Sequence, residues 1–100
     1  MTINSTQNGG SLIIALEGRL DTTTAPELEK ELKATLDGAD DLTLDFSKLD
    51  YISSAGLRVL LSAEQAMEEK GAEQVKIVNI NDTIRNIFDI TGFADILSIE

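Results

Sequence analysis

Apolar positions along the chain change period several times, and each change marks an element. Ser11-Leu-Ile-Ile-Ala-Leu-Glu-Gly18 is short and rich in branched residues, with Gly9-Gly10 ahead of it and Gly18 behind, which predicts a largely buried strand. The Asn8-Gly9 pair is a turn signal that can fold a short first strand near Thr2 to Ser5 back onto it as a hairpin. Ala25, Leu28, Leu32 and Leu36 then recur at helical spacing, with Glu27, Glu29, Lys30, Glu31 and Lys33 on the other faces. Thr24 is placed to cap this helix, with Glu27 three residues on as in a capping box and Pro26 where no amide partner is needed. The helix should end near Asp37-Gly38.

Leu42-Thr-Leu-Asp-Phe46 alternates with period two and predicts the next long strand. Ser53 to Lys70 is the longest helical pattern, carrying Leu57, Leu60, Leu61 and Met67 and stopping at Gly71. Gln74 to Ile80 reads as a strand. Asn81 or Asp82 opens a further helix through Ile84, Ile87 and Phe88, closed by Gly92 before a last short run, Ile96 to Ile99. The order β-β-α-β-α-β-α-β predicts one single-layer, mixed and mainly parallel β-sheet of the α/β class, covered by helices and joined by right-handed crossovers, in one domain over residues 1–100.

Composition narrows the function. Apolar residues are 42% and charged residues 26% of the 100, the balance of a folded globular chain. Eighteen acidic against eight basic residues give a net charge of −10, which repels nucleic acid and anionic membranes. There is no cysteine and no histidine, so thiolate nucleophiles, disulfides and the usual zinc ligands are missing, along with the side chain best suited to proton transfer near neutrality. The longest apolar run, Leu12 to Leu16, is far short of a membrane span, and Met-Thr-Ile-Asn-Ser lacks the basic start of a signal peptide. A cytoplasmic protein is expected.

Loops at the carboxyl ends of parallel strands lead into helix N-termini, where open α/β sheets usually place function. Two stand out: Gly18 to Thr24, and Asp45 to Leu57, which leads into the longest helix. In the second, Ser53 is placed to cap, which sets Ser54 at the first helical position and facing outward. On these residues alone two readings stand side by side. A phosphate on Ser54 would meet free amides and the positive helix end, with Gly56 leaving room for it; alternatively Ser53 caps, Ser54 is solvated and Gly56 packs on the sheet. A hydrolytic serine would need a base that the chain lacks, and no Gly-x-Ser-x-Gly elbow is present. Asp21 and Asp45 could approach Mg²⁺, or equally form local turn hydrogen bonds; no metal or cofactor is expected.

The string Tyr51-Ile-Ser-Ser-Ala-Gly-Leu-Arg-Val-Leu-Leu61 resembles the signature of the STAS family, in particular the bacterial anti-sigma factor antagonists. Gly18-Arg-Leu-Asp21 with Thr24-Ala25, Leu44 to Ser47 and Phe88 to Phe93 extend the likeness over nearly the whole chain. The resemblance implies a non-catalytic module switched by phosphorylation. Its unmodified form would bind an anti-sigma factor that is also a serine kinase and so free the sigma factor; a metal-dependent serine/threonine phosphatase would reverse the modification. Spacing to Gly56 and Leu57 puts the implied phosphate on Ser54, with Ser53 a competing acceptor because many relatives carry Asp there. Asp21, Thr24, Ser53, Ser54, Gly56, Leu57 and Arg58 are the implied partner-binding residues. A scaffold or sensor subunit of a signalling complex, without regulated phosphate, is the alternative; a minimal nucleotide-binding or hydrolytic enzyme lacks both histidine and a glycine-rich phosphate loop.

Overall fold

In the computed structural model, which describes residues 1–100, the alternating apolar residues of two long central strands form the floor of the core. Strand β1 (Thr2–Asn8) pairs antiparallel with β2 (Ser11–Leu20) through a two-residue Gly9-Gly10 turn. Helix α1 (Ala25–Thr35) and a 3-10 turn at Leu36–Gly38 lead to β3 (Asp41–Ile52). Helix α2 (Ser54–Glu69), β4 (Lys76–Val78), α3 (Asp82–Thr91), a second 3-10 turn at Phe93–Asp95 and β5 (Ser98–Ile99) complete the chain. The sheet runs in the order β1-β2-β3-β4-β5, parallel from β2 onward, as the pattern of elements predicts.

Because that order never reverses, successive right-handed crossovers place all three helices on the same side. Burial agrees. Leu12, Ile14 and Leu16 of β2 and Leu42, Leu44 and Phe46 of β3 are buried with Leu28, Leu60, Ile84 and Phe88 of the helices in one cluster. Their alternate neighbours Ile13, Thr43 and Asp45 stay accessible on an open face. The helices thus cover one side of the sheet only, and there is no strand-order reversal to open a crevice between helices on opposite faces.

Five boundaries differ from the pattern: β1 runs on to Asn8 instead of ending near Ser5, and β2 to Leu20 instead of stopping at Gly18, because both keep pairing with a neighbouring strand. β3 continues through Tyr51-Ile52, a stretch expected as loop; its pairing with β2 slips twice, between Ala15 and Glu17 and between Gly18 and Arg19, so that inward residues fall at Phe46, Leu49 and Ile52 instead of every second position. β4 is three residues long instead of seven. The amide of Val75 is taken by the Glu64 carboxylate at 2.8 Å, and Asn79 turns into the left-handed region at φ 60°. β5 is shortened because Ile96 closes the preceding turn through its bond to Phe93.

Candidate functional site

Along β3, β4 pairs only with Thr43–Asp45, and β1 reaches no further along β2 than Glu17. The ends of β2 and β3 therefore project beyond the rest of the sheet as a two-stranded ribbon. The Ser53 amide extends this ribbon by donating to the Leu20 carbonyl at 2.9 Å. The loops entering α1 and α2 are thereby held side by side.

Each entrance is built differently. At α1 the Asp21 carboxylate accepts from the amides of Thr23 and Thr24 at 3.0 and 3.1 Å. Thr24, expected as the capping side chain, does not cap the helix. Its hydroxyl accepts from the Asp21 amide at 2.8 Å and donates to the Arg19 carbonyl at 2.7 Å, so no capping box with Glu27 forms. Thr24 is already helical in its backbone, and Asp21 takes over the free amides. The Thr24 amide foremost, with the Thr23 amide, the Thr24 hydroxyl and the Arg19 guanidinium 4.0 Å away, holds the Asp21 carboxyl below the ordinary aspartate range. Arg19 also lies 4.5 Å from the centre of the Tyr51 ring, across the ribbon.

At α2, Ser53 has an extended backbone and its hydroxyl accepts from the Gly56 amide at 3.4 Å, the cap expected from the sequence but a long one. Ser54 is the first helical residue and is exposed, with no side-chain hydrogen bond restraining its hydroxyl. No acidic residue occupies this first turn, whereas α1 has Glu27 and α3 has Asp82 there. Arg58, one turn on, is exposed.

Gly56 and Leu57, expected on the partner-binding surface, are buried. A Cβ on Gly56 would lie 2.8 Å from both Ile52 and Leu20, so this glycine lets α2 sit down on the ribbon and does not open space for an anion. Leu57 belongs to the core because it lies one turn from Leu60 on the inward stripe. Surface at the rim comes from Asp21, Thr24, Ser53, Ser54 and Arg58. Beside them a 220 Å³ groove between α1 and α2 is lined by Thr22, Pro26, Glu29, Ala55, Arg58 and Ser62, among others.

Asn79 and Asn81 brace the ribbon from the opposite side, a role the sequence reading missed. Asn79 donates to the Asp45 carboxylate at 3.1 Å, and Asn81 donates to the Leu49 carbonyl at 3.1 Å while its own oxygen caps α3 through the Ile84 amide at 2.8 Å. The Asn79 amide, with the Ser47 amide, pulls the Asp45 carboxyl below its ordinary range. Two asparagines in Val78-Asn-Ile-Asn-Asp82 were the available signal. Asp21 and Asp45 are thus each engaged through Oδ1 by protein donors, and no cluster of three carboxylates surrounds either.

Residues 2–100 match the family model of the STAS domain. The chain belongs to the STAS family. It is 38% identical over 91 residues to BtrV of Bordetella bronchiseptica, provisionally named an anti-sigma factor antagonist, covering 90% of this chain and 78% of that one. It is 26% identical over 99 residues to the anti-sigma-B factor antagonist of Bacillus subtilis, covering 99% and 90%. The fold of this STAS chain is also that of the Bacillus anti-sigma factor antagonist SpoIIAA. The phosphorylated form of that protein superposes with a TM-score of 0.77 at 16% identity over 99% of this chain and 91% of that one.

Proposed function

We propose that this STAS protein is an anti-sigma factor antagonist: a binding module, not a catalyst, that in its unmodified form docks on an anti-sigma factor and so releases the sigma factor. It is read as working in the cytoplasm, where sigma factors act. The observation that carries the reading is the exposed, unrestrained Ser54 hydroxyl at the start of α2, beside a neighbour that is already engaged as the cap.

In this scheme the anti-sigma factor doubles as a serine kinase. Ser54 Oγ attacks the γ-phosphorus of the ATP that the kinase holds, the hydroxyl proton passes to a base of the kinase, and ADP leaves. A metal-dependent serine/threonine phosphatase delivers water to the same phosphorus, restoring Ser54 and releasing inorganic phosphate. Phosphate adds about two negative charges at the rim, which raises the cost of docking, while the positive end of α2 keeps the modified chain folded.

Incubation with ATP and the anti-sigma kinase of the same organism, followed by phosphopeptide mapping, tests this. Label is expected on Ser54, absent in Ser54→Ala and retained in Ser53→Ala, with the kinase bound more weakly by the labelled form. Label retained in Ser54→Ala and lost in Ser53→Ala would reassign the site, and equal binding by both forms would refute the switch.

A further inference from the structure

Arg58 is the sole basic residue of α2, and it is unpaired in a chain with ten more acidic than basic groups. The two ion pairs of the structure are Arg19 with Asp21 and Lys33 with Glu29, and no carboxylate lies within ion-pairing distance of the Arg58 guanidinium. Glu29 lines the same groove from α1, yet its carboxylate is turned to Lys33 at 3.1 Å. Asp21, at the neighbouring entrance, is satisfied by the amides of Thr23 and Thr24.

Arg58 follows Ser54 by four residues, which puts the two Cβ atoms about 5–6 Å apart on one face of the helix. Helical side chains lean toward the N-terminus, so a long side chain at position 58 covers the turn that starts at Ser54. Both residues are exposed, and the absence of acidic side chains in that turn leaves the guanidinium no local competitor.

We propose that Arg58 is the intramolecular receptor for a phosphate on Ser54; this rests on the modification site argued above. Guanidinium donors match phosphate oxygens two at a time, a fit a lysine ammonium makes only as a point charge. Modification then changes the rim twice over. It adds about two negative charges and withdraws a cation from the exposed rim.

Phosphoserine inserted at position 54 during translation, by suppression of a stop codon, makes the test independent of any kinase. The second ionisation of the phosphate is followed by ³¹P NMR in the full chain with Arg58, with Arg58→Ala and with Arg58→Lys, each checked for a cooperative melt. A neighbouring cation favours the dianion, so the chain with Arg58 should titrate at lower pH than Arg58→Ala by roughly 0.15–0.4 pH unit. Lysine should fall between, and the difference should collapse in about 1 M salt. Should Arg58→Ala not fold, Arg58→Gln takes its place. Coincident titrations of parent and neutral variant would overturn the inference and leave Ser54 free to be the modification site. Separated titrations combined with no kinase labelling of Ser54 would instead sink the switch and leave the Arg58 contact standing.

Discussion

The entrances to α1 and α2 leave adjacent parallel strands at the same rim, yet one is closed and the other open. At α1 the Asp21 and Thr24 side chains are spent on one another and on the backbone, the exposed Thr22 and Thr23 hydroxyls aside: Asp21 holds two amides, and Thr24 bridges the Asp21 amide to the Arg19 carbonyl. At α2 one long bond from Ser53 does the capping, and the next hydroxyl has nothing to hold it. At α1 a carboxylate already meets the amides of the turn; at α2 the helix start has an idle hydroxyl and no carboxylate, and the helix dipole there favours negative charge. The contrast follows from the lengths of the two connections, four residues from Leu20 to Ala25 and the single Ser53 between Ile52 and Ser54.

Joining the two entrances is Gly56, which packs against Leu20 from one and Ile52 from the other, and its substitution should have the largest effect. Gly56→Ala places a methyl group 2.8 Å from both side chains, and overpacking of this kind costs about 1–3 kcal/mol. Denaturant melts should show that loss, accompanied by weaker binding to the proposed anti-sigma kinase because both loops are displaced. Unchanged stability would mean that α2 can lift away from the ribbon freely.

The closed entrance should be the acid-sensitive one. A carboxyl whose folded pKa lies below its unfolded value stabilises the fold at pH values above the unfolded one, and that contribution is lost as the pH falls through the folded one. Asp21→Ala should therefore lower the melting temperature at pH 7. The deficit against the parent should shrink as the pH drops below the ordinary aspartate value of 3.8. A deficit independent of pH would assign the loss to packing and not to the turn.

At the open entrance the effects should be small and unequal. Ser53→Ala removes a 3.4 Å cap and should cost about 0.5–1 kcal/mol, the lower part of the usual range for lost caps. Ser54→Ala should stay within about 0.5 kcal/mol of the parent, as for other exposed surface changes. Paired denaturant melts separate the two, and the reverse order would place the cap on Ser54 and remove the idle hydroxyl.

Fold class and the order of the elements were legible in the pattern because each long element buries one stripe or one face, and burial repeats with the period of the backbone that carries it. The Ser53 cap with Ser54 beyond it was legible for a similar reason, since an N-cap is settled within four residues of chain. The far end of β3 was not, because the two slips in its pairing put Phe46, Leu49 and Ile52 three apart, a spacing that breaks the alternation by which a strand is read. Nor was the division of work at α1: Thr24 and Asp21 could each have capped, and backbone geometry at Thr24 gave the role to Asp21. Gly56 belongs with these, since a glycine read as space for an anion is, in the fold, the point where α2 touches Leu20 and Ile52. By itself the sequence determined which segments are strands and helices and which hydroxyl follows the cap. Only the tertiary structure decided that all the helices share one face, that the ribbon carries both loops to a common rim, and which of the rim residues turn outward, because these depend on contacts between segments far apart in the chain.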